Sequence, residues 1–165
     1  MDEKTTAGAV DHVWEMMDAI RTCMLVTKQG LTLRARPMHA FPSREENCVW
    51  FLSDRRGHKD EELRHDPQSA LVFSDKTGRD FLSLSGESEV IEDRARIDQL
   101  WNDAAAVWWP QGRNDPNIQV LRFLPEQAEY WDGPSSSILV GLRLAAARLA
   151  GRPPEFGENR KVPLD

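Results

Sequence analysis

Between residues 6 and 22, Val10, Val13, Trp14, Met17 and Ile20 recur at helical spacing with Asp11, Glu15 and Asp18 opposite them, which predicts a covering helix with one apolar stripe. From Cys23 the period shortens. CMLVTK, LTLRARPMHAF and CVWFLS are short runs rich in branched and aromatic residues, separated by KQG and PSREEN, and they predict consecutive antiparallel strands. HKDEELRH puts acids in its first turn and Arg64 and His65 in its last, matching the helix dipole, and Asp66-Pro67 ends it, so a short helix is expected. SALVFSD and FLSLSGESEVIED then read as strands around KTGRD, and DRARIDQLWNDAAAVW as one amphipathic helix carrying Ile97, Leu100, Trp101 and Ala104. IQVLRFLP and QAEYWDG are two further β-like runs around a proline, and SSSILVGLRLAAARLAG favours a helix by its alanine and leucine content.

This order predicts an α+β fold: a six-stranded antiparallel barrel with flanking helices. At 165 residues one core is expected, with a single domain over 1–150 and a Pro- and charge-rich tail over 151–165 that is extended or mobile. No apolar run approaches the roughly 20 residues of a membrane span. The formal net charge of -6 argues against a general nucleic-acid binder, so any anion site must be local. Cys23 and Cys48 form no CxxC pair and lie in apolar runs, which predicts buried thiols in a reducing compartment. The acidic start lacks the basic and apolar segments of a secretory signal, and a cytoplasmic location is expected.

The chain carries no G-x-G-x-x-G after a strand, no P-loop, no G-x-S-x-G and no HExxH. His12, His39, His58 and His65 lack metal-ligand spacing, so no metal is expected. The basic residues near FLSDRRGHKDEELRHDPQSALVF are more suggestive. Arg34, Arg36 and Met38 alternate along one strand and share a face, while His58 and Lys59 open the following short helix. Together they could hold a phosphate through charge-assisted hydrogen bonds; the competing reading is solvated surface charge. Trp108-Trp109 begins an irregular stretch and Trp131 ends a strand, where an aromatic could wall a flat ring or a subunit interface, or simply pack.

The ordered set RARPM (34–38), VWFLSDRRGHKDEELRHDPQSALVF (49–73), FLSLSGESEVIED (81–93), the Trp101 helix, PQGRNDPNIQVLRFLP (110–125) and AEYWDGPSS (128–136) resembles the pyridoxamine-phosphate-oxidase-like split barrels, and among them the general stress protein group. The resemblance implies an FMN-binding split barrel that forms a homodimer with the cofactor at the subunit interface. It implies that Arg36 and Lys59 hold the flavin phosphate, that Ser53 assists, and that His58 stands where an Arg or Ser is more usual. Phe51 and Leu52 would lie along the flavin through backbone and apolar contacts, with Met38 approaching the ring. Phe81 occupies a position where the oxidases have a cofactor-binding Gln, and Trp131, with Trp109, would supply aromatics.

In activity, the resemblance implies a flavin-dependent oxidoreductase or redox sensor with a small-molecule redox partner. One alternative is a pyridoxamine 5'-phosphate oxidase, against which the stretch after Trp131 offers Ser135, Ser136 and Ser137 in place of the substrate-gripping Arg-x-His of the oxidases. Another is a non-catalytic module whose cleft takes haem or a deazaflavin.

Overall fold

The computed structural model describes residues 3–133, 137–151 and 159–164. Helix α1 (Glu3–Ile20) leads into β1 (Thr22–Gln29), β2 (Thr32–His39), β3 (Phe41–Ser43) and β4 (Cys48–Asp54). A 3-10 turn (Arg55–Gly57) and α2 (Lys59–His65) come next, then β5 (Gln68–Ser74), β6 (Phe81–Ile91), α3 (Arg94–Leu100) and α4 (Ala105–Trp108). The long strand β7 (Ile118–Trp131), α5 (Ser137–Ala150) and β8 (Asn159–Pro163) complete the chain. All pairings are antiparallel, in the order β2-β1-β5-β6-β7-β4-β3, with β8 joining β7.

The α+β class holds, but among the described residues the sheet has eight strands rather than the six expected. The run LTLRARPMHAF divides at Ala40 into β2 and β3, and the segment expected to be a tail supplies β8 against the end of β7. In the other direction, IQVLRFLP and QAEYWDG are one strand. Pro125 lacks an N–H, yet it sits in the gap between β4, whose pairing starts at Phe123, and β8, whose pairing starts at Gln127. On its other side the β6 register shifts between Ser85 and Gly86, and a Cβ on Gly86 would stand 2.0 Å from the Leu124 carbonyl oxygen, so only glycine fits. The helix expected over DRARIDQLWNDAAAVW breaks at Trp101, which is extended, and a turn at Asn102, whose side-chain oxygen accepts from the Ala105 N–H at 3.0 Å, leads into a separate short helix.

Alternation decides the core. Leu25, Leu71, Phe73, Leu82, Leu84, Val49, Phe51, Leu121 and Phe123 point inward and are fully buried, and Val13 and Met17 of α1 close one end of the barrel. A second cluster lies outside β4 and β7, where Cys48, Trp50, Ile118 and Val120 pack beneath Ile97, Ala105 and Trp109. β4 is therefore buried on both faces. Burial pushes the Cys23 thiol up to about 12 and that of Cys48 to about 11, so neither is a ready nucleophile. β2 and β4 come into contact without pairing, which leaves the barrel split along that line. Among the described residues no helix is long and apolar enough to cross a membrane.

Candidate functional site

Along the split runs a cleft of about 510 Å³. β2 contributes Met38 and His39, β4 contributes Leu52 and Ser53, α2 contributes Lys59, and the α3–α4 segment supplies Asn102, Trp108 and Trp109. Most of this wall is apolar. Its cationic end is built by a local device: His58 adopts a left-handed conformation (φ 54, ψ 23) between the 3-10 turn and α2. That bend starts a helix whose inward stripe is Lys59, Glu62 and Leu63, spaced i, i+3, i+4.

Three buried polar atoms here have no partner among the described residues: Arg36 Nε, Ser53 Oγ and Trp109 Nε1. Lys59 is only 9% exposed and forms no ion pair among the described residues. Burial, and then the charge of Arg36, hold its pKa below the ordinary lysine range. Arg36 itself is anchored from behind. Its Nη2 donates to Glu62 Oε2 at 2.6 Å and its Nη1 to Thr27 Oγ1 at 2.8 Å, while Thr27 Oγ1 donates to Glu62 Oε2 at 2.6 Å. Arg34 reaches the other carboxylate oxygen at 3.2 Å. Burial acts to raise the Glu62 pKa, but the hydrogen bonds from Thr27 and Arg36 and the arginine charges outweigh it and hold the carboxyl below its usual range. At the same rim, burial and then the Arg21 charge lower the His39 pKa.

The structure thus brings together Met38, Leu52, Ser53, Lys59 and Trp109 along the cleft, with Arg36 beside Lys59. Phe51 is different: its side chain is fully buried in the barrel core and does not line the cleft. His58 is 71% exposed at its side chain, lies 3.7 Å from Glu61, and does not line the cleft. Phe81 and Trp131 sit opposite each other on β6 and β7, half exposed, away from the cleft of their own chain. Ser135 and Ser136 lie outside the described residues, as does the side chain of Ser137.

Sequence reasoning missed Glu62 and Thr27. HKDEELRH reads as a run of acids suited to a helix start, but the i, i+3, i+4 spacing of Lys59, Glu62 and Leu63 was a usable sign that Glu62 turns inward. Among the described residues no group of His, Cys, Asp and Glu could hold a metal ion.

An antiparallel barrel open along one line is a split barrel, and here the opening holds a buried cationic corner. The chain belongs to the pyridoxamine 5'-phosphate oxidase like family, whose model matches residues 8–155. A protein of Jannaschia sp. CCS1 named for general stress protein 26 is 25% identical, with a TM-score of 0.76, over 95% of this chain and 99% of that one. The general stress FMN/FAD binding protein of Xanthomonas citri is 30% identical, with a TM-score of 0.70, over 79% of this chain and 93% of that one. A pyridoxamine 5'-phosphate oxidase-related, FMN binding protein of Nostoc punctiforme PCC 73102 shares the fold at 19% identity and a TM-score of 0.61, over 80% and 87% of the two chains. Comparison with curated proteins gave no match.

Proposed function

We propose that the chain is an FMN-binding flavoprotein that exchanges electrons with a small-molecule partner, with the flavin phosphate seated between Arg36, Ser53 and Lys59. The observation that carries this is the set of buried donors without partners among the described residues, with Ser53 Oγ and Lys59 on the wall of an apolar cleft and Arg36 Nε beside Lys59. Leaving such a group unsatisfied costs roughly 1–3 kcal/mol, more when it is charged. A corner holding an unused guanidinium N–H, a hydroxyl and an unpaired ammonium therefore suits a ligand with several anionic acceptor oxygens, which a phosphate has. The residues present fit the group. The flavin binding named for the Xanthomonas citri relative supports the same choice.

Arg36, Ser53 and Lys59 bind the phosphate; Met38 and Leu52 offer the ring an apolar bed; Trp109, 6% exposed, closes the far wall and excludes water. The bound flavin supplies the redox chemistry, so the chain's task is binding and orientation. Pyridoxamine 5'-phosphate is not its substrate, because the cations of the cleft are committed to the cofactor and a second phosphate needs its own grip.

The assembly is a two-fold homodimer. The outward face of the sheet carries two exposed apolar pairs on a band of neighbouring strands: Met24 faces Val72 across β1 and β5, and one row along, Phe81 faces Trp131 across β6 and β7, all at least 36% exposed. Such a band on a small protein calls for a partner, and a symmetric dimer covers it with the same band on a second copy. Sedimentation should show one species at twice the chain mass; a monomer that binds FMN tightly overturns the dimer. For the cofactor, FMN should bind far more tightly than riboflavin in a fluorescence titration, and equal affinities overturn the phosphate anchor.

A further inference from the structure

We infer that Glu62 is a positioning residue that makes the corner selective for a phosphate monoester, by holding the Arg36 guanidinium so that Nε is the group left for the ligand. This rests on the cofactor reading above and concerns a residue behind the ligand rather than against it.

A carboxylate beside an anion site is at first sight a defect, since it repels the ligand. Its surroundings answer that objection. Glu62 is 7% exposed and each of its oxygens is taken: Oε1 by Arg34 at 3.2 Å, Oε2 by Arg36 at 2.6 Å and by Thr27 at 2.6 Å. Its charge is thereby spent on the two arginines. Arg34, Arg36 and Lys59 against Glu62, with Asp54 on the cleft wall balanced by its partner Arg56, leave two uncompensated positive charges, which matches the roughly −1.5 to −2 of a phosphate monoester at neutral pH.

The second contribution is orientation. Arg36 and Lys59 lie close enough to repel each other, a repulsion that adds to burial in lowering the Lys59 pKa. Left alone, a guanidinium on the split-facing strand would swing toward water, and Arg34 on the same face is already half exposed. Glu62 and Thr27 engage Nη2 and Nη1, which leaves Arg36 13% exposed with Nε buried and unpartnered. An arginine fixed in this way offers its donor in one direction without the entropy loss of ordering it when the ligand arrives.

The test measures affinity for FMN and for riboflavin, by quenching of flavin fluorescence, in the wild type and in two variants of the full chain. Glu62→Gln keeps the size and removes the charge; Thr27→Val is isosteric and loosens the same grip from the other side. The expected result is a large preference for FMN in the wild type, falling by about tenfold or more in Glu62→Gln and by a smaller factor in Thr27→Val, with riboflavin affinity unchanged. Glu62→Asp should recover part of the preference. A merely structural Glu62 would lower both affinities together and leave their ratio intact, and that result overturns the inference. So does tighter FMN binding by Glu62→Gln, which would make the carboxylate only a repelling charge. If Glu62→Gln does not fold, an unchanged ratio in Thr27→Val overturns the inference by itself. A wild type that binds the two flavins equally overturns the phosphate anchor itself, a failure distinct from an unchanged ratio in the variants.

Discussion

Arginine–carboxylate pairs lie on both sides of the turn after β4, and their environments differ sharply. Arg55 meets Glu92 at 2.5 Å and Arg56 meets Asp54 at 2.5 Å, with the arginine side chains 49% and 64% exposed. A few residues further on, Glu62 meets Arg36 at 2.6 Å, but the side chains of these partners are 5% and 13% exposed. The distances are alike; the solvent is not. In water the first two pairs are screened and contribute little, whereas the Arg36–Glu62 pair is desolvated and bound into a network that includes Thr27. Arginine count and spacing therefore say little about which cation can anchor a ligand, and burial with an unused donor says much.

The largest expected break of this contrast is the double variant Arg36→Ala, Lys59→Ala. It should weaken FMN binding by roughly 3–6 kcal/mol, about two to four decades, while riboflavin titrations barely change. Next in size is the effect of alkaline pH. Lys59 has a depressed pKa, and an anion prefers its protonated form, so FMN affinity should begin to fall as pH climbs through that lowered value, below the range where an ordinary lysine titrates. Riboflavin affinity should stay flat over the same window, and a titration series at rising pH checks both.

A smaller effect is expected at the bend that separates the two regions. His58 holds φ 54 without a side-chain cap bond, so His58→Gly should relieve left-handed strain. The gain, net of the extra freedom glycine has when unfolded, is roughly 0.5–1 kcal/mol in denaturant melts. Smallest of all is Arg55→Ala on the exposed side. It should move the melting temperature by no more than about 2 °C and leave FMN affinity unchanged. A large loss of FMN affinity in Arg55→Ala would erase the distinction between exposed and buried pairs.

Much of the fold was legible in the chain. The helical stripe of α1, the alternating runs of β1, β5 and β6 and the continuous apolar run of β4 appear where the pattern put them, because period is a property of local backbone geometry. The misreadings have local explanations that only neighbours supply. Pro125 looked like a strand end, but β7 runs through it because its missing N–H falls between two partner strands. Trp101 looked like mid-helix, but it is extended, and a turn held by the Asn102 side chain on the Ala105 N–H separates two short helices. Three consecutive strands looked like three neighbours, but β2 ends up at one edge of the sheet and β4 beside β7, and that separation is what opens the cleft.

At the candidate site the same division applies. That Arg34, Arg36 and Met38 share a face, and that Lys59 opens a short helix, is a consequence of residue spacing alone. That Phe51 is spent in the core, that Phe81 and Trp131 stand apart from the cleft, and that Glu62 closes on an arginine 26 residues earlier were decided by the tertiary structure. Spacing along a chain determines which side chains point the same way. Which of them lose water, and which lose their partners, depends on strand order and on helix packing between residues far apart in sequence, and no local pattern encodes that.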